Sequence, residues 1–175
     1  MTVETLNILP IHIGKDNIGV LKDWKSKVKD TEIYSFDELG TYSKNNLHEH
    51  PDWQPLCENL LKVAQDWFIS QGYHGELFMT SAWLNFFKPT QGINNHIHPN
   101  SFISGCYYFE DSSGIKFFRD QTAIDTVFEI PGKKVNFHVF NPSAGDVLVF
   151  KSDLKHEVIP TLNTRCSFAF NCFPK

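Results

Sequence analysis

No stretch of this sequence approaches the ~20 consecutive apolar residues that a membrane-spanning helix needs, so no such span is expected. The N-terminus, Met1 to Asn7, lacks a basic segment followed by an apolar run, and no signal peptide is expected. There is no run of Lys and Arg, and the formal net charge is −4. Without a basic patch, nucleic acid is not an expected partner. The four cysteines (Cys57, Cys106, Cys166 and Cys172) form no Cys-X-X-Cys pair. Free thiols in a reducing compartment follow, and with them a cytoplasmic location. No internal repeat, low-complexity tract or linker divides the chain, so 1–175 reads as a single domain.

What is present is aromatic. Of 175 residues 14% are Phe, Tyr or Trp, and 16 are Phe. Hydrophobic content of 41% and charged content of 21% are ordinary for a globular protein. A chain of this length buries roughly 70% of its unfolded surface. This composition suits a packed β-rich core and argues against disorder.

Residues 6–13 alternate loosely around Pro10 and predict an edge strand, in which His12 is structural. Residues 20–28 predict a short amphipathic helix, and Glu38 to His50 a loop with His48 and His50 facing solvent. From Asp52 to Gln71 the apolar residues Trp53, Leu56, Cys57, Leu60, Leu61, Ala64, Trp67 and Phe68 recur at helical spacing. Asp52 is positioned to cap that helix and Gly72 to end it. After Gly75 the pattern turns to short strands: 77–87, 102–109, 115–119, 126–130, 136–140, 147–150, 157–159 and 164–173. Strands at this spacing predict an all-β sandwich or barrel. The expected fold is therefore mainly β with N-terminal helices (α+β). Residues 1–75 supply a strand and helices that cover a jelly-roll core built from 76–175.

The chain is organised around Asn94-Asn-His96-Ile-His98-Pro-Asn100. Two histidines one residue apart share a face if the backbone is extended, and such a pair is part of a metal site. A second histidine segment lies about 60 residues on. There the turn Asn141-Pro-Ser-Ala-Gly-Asp146 leads into a buried strand, and Asp146 can bond back to its own backbone. If 160–163 is a hairpin loop, His156 faces Ser167 and Val158 faces Arg165. Arg165, Ser167, Ala169 and Asn171 then share one face, while Cys166, Phe168, Phe170 and Cys172 pack against the helices. An inward arginine needs an anion, because an unpaired buried charge is costly. That strand face offers no carboxylate, so a ligand carboxylate gripped by Arg165, with help from Ser167, is expected.

These motifs, taken together, resemble the 2-oxoglutarate and iron(II)-dependent oxygenases, more narrowly a bacterial and phage branch with prolyl-hydroxylase-like features. The resemblance runs through Trp83-Leu-Asn85, His96-Ile-His98-Pro99, Ser104-Gly-Cys-Tyr-Tyr108, Pro142-Ser-Ala-Gly-Asp146, His156-Glu-Val and Arg165-Cys-Ser167. It implies a double-stranded β-helix that uses Fe(II) with 2-oxoglutarate as cosubstrate. His96 and His156 match the first and distal ligands, Arg165 and Ser167 the far carboxylate of 2-oxoglutarate, and Tyr108 a tyrosine on that same carboxylate. Asn85 is a further residue within reach of the cosubstrate or of the groups behind the ligands.

The sequence departs from the family at His98, where an acid usually completes the facial triad. Three readings remain open: three histidines, two histidines with water, or His98 and Asn100 as the spaced pair. The first is favoured. The expected activity is hydroxylation of an unidentified small molecule or peptide with release of succinate and CO2. The alternatives are a cupin-type isomerase or cosubstrate-free dioxygenase, which has no use for Arg165, and a non-catalytic jelly roll. A homodimer is left open.

Overall fold

The structure is a computed structural model, and it describes residues 10–36, 40–119 and 137–175. A strand β1 (Gly14–Asn17) precedes a six-residue helix α1 (Trp24–Lys29), followed by β2 (Ile33–Phe36) and β3 (Gly40–Ser43). A 3-10 turn (Leu47–Glu49) leads into α2 (Gln54–Ser70). Then come β4 (Leu77–Phe87), β5 (Ile93–His96), β6 (Ile103–Tyr108), β7 (Ile115–Phe118), β8 (Phe137–Phe140), β9 (Asp146–Lys151), β10 (His156–Val158) and β11 (Arg165–Pro174). Among the described residues, no helix is long and apolar enough to cross a membrane. All four cysteines are free.

The strands form two sheets. The larger has the order β1-β9-β6-β11-β4-β3-β2, and the smaller β5-β10-β7-β8. Neighbours within both are antiparallel. This is a double-stranded β-helix, with helices covering one face of the larger sheet.

Period-two alternation explains how the larger sheet serves two layers. Its outer face carries Ala82, Leu84, Ile103, Tyr107, Val147, Val149, Cys166, Phe168, Phe170 and Cys172, which pack on Leu56, Leu60, Ala64 and Phe68 of α2. Leu60, Phe168 and Phe170 are fully buried there, each contributing about 1.5–3 kcal/mol of hydrophobic stabilisation. Gly105 belongs to this layer because any side chain on it would run into the Phe170 ring. The inner face meets the smaller sheet through Tyr108, Leu148 and Phe150 against Ile115 and Phe117. Phe117 and Phe150 pack edge to face at 5.0 Å.

Several expectations are corrected. The edge strand begins at Gly14 rather than within 6–13, and Pro10 precedes it; residues 6–9 lie outside the described ones. The first helix is Trp24–Lys29, shorter than 20–28. The segment read as loop from Glu38 contains β3 and a 3-10 turn, and β2 and β3 extend the larger sheet. His50 is exposed, but His48 is half-buried. Asp52 does not cap α2: its N–H donates to His50 Nδ1 at 3.3 Å, and Trp53 takes the N-cap position without a side-chain bond. Pro55 suits the first helical turn, where its missing N–H costs nothing. Gly72, at φ +82, does end the helix in the left-handed region. The expected strand 126–130 lies outside the described residues.

The largest correction concerns β10 and β11. They do not form a hairpin. β10 pairs with β5 and β7 in the smaller sheet, and β11 with β4 and β6 in the larger. Residues 159–164 therefore cross between sheets. His156 and Arg165 still face one space, because they look at each other from opposite walls rather than lying side by side.

Candidate active site

His96 closes β5 and His156 opens β10, and the two are directly opposed in the ladder, so their side chains leave the same face. Their ring centroids are 4.3 Å apart. His98 lies beyond the end of β5, its ring 5.1 Å from each of the others. One nitrogen from each ring falls within 4.8 Å of the other two, and Nε2 of His98 is 3.2 Å from Nε2 of His156.

Two of the rings are held in a defined tautomer. His96 Nδ1 donates to the Asn94 carbonyl and His156 Nδ1 to the Leu154 carbonyl, both at 2.8 Å. With that proton fixed, Nε2 carries the lone pair, which is how a metal-binding imidazole is oriented. Burial, reinforced by the neighbouring His96, pushes His98 down to about 4. Burial outweighs the Leu154 hydrogen bond and pushes His156 down to about 3. Both are neutral imidazoles at physiological pH. Nitrogen donors without protons, packed with no acid beside them, fit a divalent ion such as iron(II).

The opposite wall is a polar rung across the larger sheet. Tyr42 of β3 opposes Asn85 of β4, Asn85 opposes Ser167 of β11, and Ser167 opposes Tyr108 of β6. Trp83 Nε1 donates to Asn85 Oδ1 at 2.9 Å, and Asn85 Nδ2 reaches Ser167 Oγ at 3.5 Å. Burial raises the Tyr108 hydroxyl well above its ordinary pKa, so it remains a donor.

One rung along, Arg165 opposes Phe87, and its guanidinium lies 4.7 Å over that ring. It is 4% exposed. It donates to the Ser113 carbonyl at 2.7 Å and to Ser112 Oγ at 3.3 Å. Its Nε is buried with no partner, and among the described residues it makes no ion pair. Burial lowers its pKa, opposed by the nearby Tyr108 and Cys106.

His96, His98, His156, Asn85, Tyr108, Arg165 and Ser167 all line one cavity of ≈ 180 Å³, and no carboxylate is among its lining residues. Asn100 is not brought in: it is exposed, with φ +66. The cavity also contains Tyr42, Trp83 and Cys106, which sequence reasoning did not single out as site residues. For Cys106, strand parity with Tyr108 was the available signal. Tyr42 had none, because its strand was read as loop. His12 contacts Gln71 on the outer surface. There a larger cleft of ≈ 540 Å³, lined by Trp67, Tyr73 and Lys151 among others, holds none of this chemistry.

Residues 81–171 match the family model described as "Putative 2OG-Fe(II) oxygenase". The chain belongs to that family. Its cofactors are accordingly Fe(II) and the cosubstrate 2-oxoglutarate. No curated protein sequence matches the chain. Solved structures share its fold at low identity. A Pseudomonas putida prolyl-4-hydroxylase superposes with TM-score 0.61 at 12% identity, covering 94% of this chain and 94% of that one. HygX from Streptomyces hygroscopicus, solved with nickel, 2-oxoglutarate and hygromycin B bound, gives 0.63 at 12%, covering 94% and 84%. The α-ketoglutarate-dependent epimerase SnoN of nogalamycin biosynthesis gives 0.67 at 10%, covering 94% and 79%.

Proposed function

We propose that this chain is an oxygenase that hydroxylates a small-molecule or peptide substrate, through R–H + O2 + 2-oxoglutarate → R–OH + succinate + CO2. The observation that carries the reading is Arg165, a buried cation without a carboxylate partner among the described residues, facing three histidines across one cavity. A dianionic oxoacid supplies what both walls lack. In this reading His96, His98 and His156 hold the iron. Arg165 grips the distal carboxylate with its planar fork, assisted by Ser167 and the protonated Tyr108. Asn85, oriented by Trp83, would offer its amide to the cosubstrate. The iron, when bound, supplies the activation of dioxygen, which none of these side chains can perform. The protein's contribution is to orient the cosubstrate and keep water out of a cavity walled by Phe87, Phe150 and Ile115.

A cosubstrate-free cupin is disfavoured by the same arginine, which would be left buried without an anion among the described residues. Anaerobic calorimetry of the Fe(II) or Mn(II) protein with 2-oxoglutarate tests the reading. Binding should be tight in wild type and absent in Arg165→Ala. Equal binding by both proteins overturns the cosubstrate assignment. Once a substrate is found, ¹⁸O from O2 should appear in the product alcohol; an epimerase would turn over without incorporating it.

A further inference from the structure

The inner face of the larger sheet continues past the cavity. Opposed residues of β4 and β11 make four successive rungs: Phe87 with Arg165, Asn85 with Ser167, Trp83 with Ala169, and Ser81 with Asn171. In the reading above, the cosubstrate takes the first two. The third rung lies under the histidines, since the Trp83 ring is 5.9 Å from that of His98, and Ala169 leaves space there. The fourth opens into a depression of ≈ 320 Å³ lined by Tyr42, Ser43, Asn45, Ser81, Trp83 and Asn171. Tyr42 and Trp83 line both this depression and the cavity, so the two meet around those rings. With Arg165 and the cosubstrate at one end of the cavity, this depression offers a third molecule a way to the histidines from the other.

The chemistry of that opening is uniform. None of its six side chains carries a charge at neutral pH. Lys44, which lies among them in sequence, turns away to pair with Glu32 at 2.9 Å. Asn171 is 8% exposed and fixed in orientation: its Oδ1 accepts from Ser104 Oγ at 2.7 Å, and its Nδ2 donates to Ser81 Oγ at 3.1 Å. The Trp83 indole N–H is engaged by Asn85, which leaves its ring face as the contact surface. A charged group entering here would lose hydration without gaining a counter-charge from the described residues that line it, whereas hydroxyl and amide dipoles match their polar groups.

Building on the oxygenase reading, we propose that this depression is the substrate subsite. The group it takes is uncharged and hydrogen-bonding, a sugar hydroxyl or a carboxamide seated against Trp83 and Tyr42.

The test uses the protein with Zn(II) and 2-oxoglutarate bound and follows the Trp83 indole N–H by ¹H–¹⁵N correlation. The probes are matched sets: methyl glucoside against gluconate and glucosamine, and N-acetylalaninamide against N-acetylalanine and alaninamide. At about 10 mM, high enough for a weak fragment contact, at least one neutral member should shift the Trp83 resonance and its charged partners should not. Which set responds separates a sugar from an amide substrate. Ser81→Asp should weaken that response about tenfold, the effect of a lost hydrogen bond with a new unpaired charge, while the 2-oxoglutarate dissociation constant stays within about twofold. A shift by charged members only, or by none, overturns the subsite. Loss of 2-oxoglutarate binding in wild type would instead overturn the reading on which it rests.

Discussion

The His98 main-chain N–H donates to the Ser152 carbonyl at 2.9 Å, and this bond holds a histidine that no strand supports. Ser152 follows the end of β9 and is itself tied down. Its Oγ lies 2.8 Å from Ser104 Oγ, which donates onward to Asn171 Oδ1. Ser104 and Ser152 are each 1% exposed. A buried polar chain of this kind is specific because every member depends on the next.

Ser104→Ala breaks the chain at its centre and leaves Ser152 and Asn171 each one partner short. The expected cost is about 1–3 kcal/mol of stability. It should also loosen the Ser152 carbonyl, so metal affinity is expected to fall by about tenfold, as when an outer support of a ligand is lost. Urea unfolding and metal titration, run side by side, check the two effects. A variant that lost stability but bound metal as wild type does would sever Ser152 from the site.

The third ligand is tested at two positions. His98→Ala should weaken metal binding by about 10–100-fold or more, because it removes a donor from the cluster itself. Asn100→Ala should leave metal affinity unchanged and cost only the strain of placing alanine at φ +66. His98→Asp should restore part of the binding, since a carboxylate at that position makes the commoner facial set. The reverse result, a silent His98→Ala beside a metal-free Asn100→Ala, would move the site by two residues.

What the sequence disclosed here was parity, and what it withheld was partnership. Alternation along 165–171 placed Arg165, Ser167, Ala169 and Asn171 on one face, and they do face inward. The same alternation cannot say which strand lies alongside, so 160–163 reads as a hairpin loop, whereas the chain there crosses between the sheets. His98 was grouped with His96 by strand spacing, although β5 stops at His96 and a hydrogen bond to Ser152 brings His98 into place. β2 and β3, four residues each, are too short and mixed for periodicity to register. They exist because the edge of β4 pairs with β3. Tyr42, on the site's far wall, went unread for that reason.

Asp146 gives a pH signature independent of the cavity. Burial alone would raise its pKa, but the Ser143 N–H and Asn17 Nδ2, each at 2.9 Å, and Lys15 at 3.0 Å outweigh it and hold the carboxyl below its ordinary value. A depressed folded-state pKa adds stability above the unfolded value of about 3.9, lost as pH falls through the lower folded one. Asp146→Asn should therefore cost about 1.5–3 kcal/mol at pH 7 and progressively less below about pH 4. Urea midpoints across that range should converge. Parallel curves would mean that the carboxylate's charge contributes nothing.

Arg165 sets stability against function, and its removal should move the two in opposite directions. The guanidinium is buried over Phe87 with an unpartnered Nε and no ion pair among the described residues. Without ligand, that charge is a cost to the fold, and replacing buried charges by well-packed apolar residues often adds 1–4 kcal/mol. Arg165→Met keeps an unbranched apolar side chain in the site and removes the charge that lies over Phe87. Without cosubstrate its melting temperature should rise above wild type. Saturating 2-oxoglutarate should raise the wild-type melting point by mass action and leave the variant's unmoved. Arg165→Lys should bind weakly at best, because a point charge cannot reproduce the two-pronged contact. Thermal scans of the three proteins with and without 2-oxoglutarate and Mn(II) decide the matter. A methionine variant less stable than ligand-free wild type, yet still stabilised by 2-oxoglutarate, would mean that Arg165 serves the fold and another group receives the carboxylate.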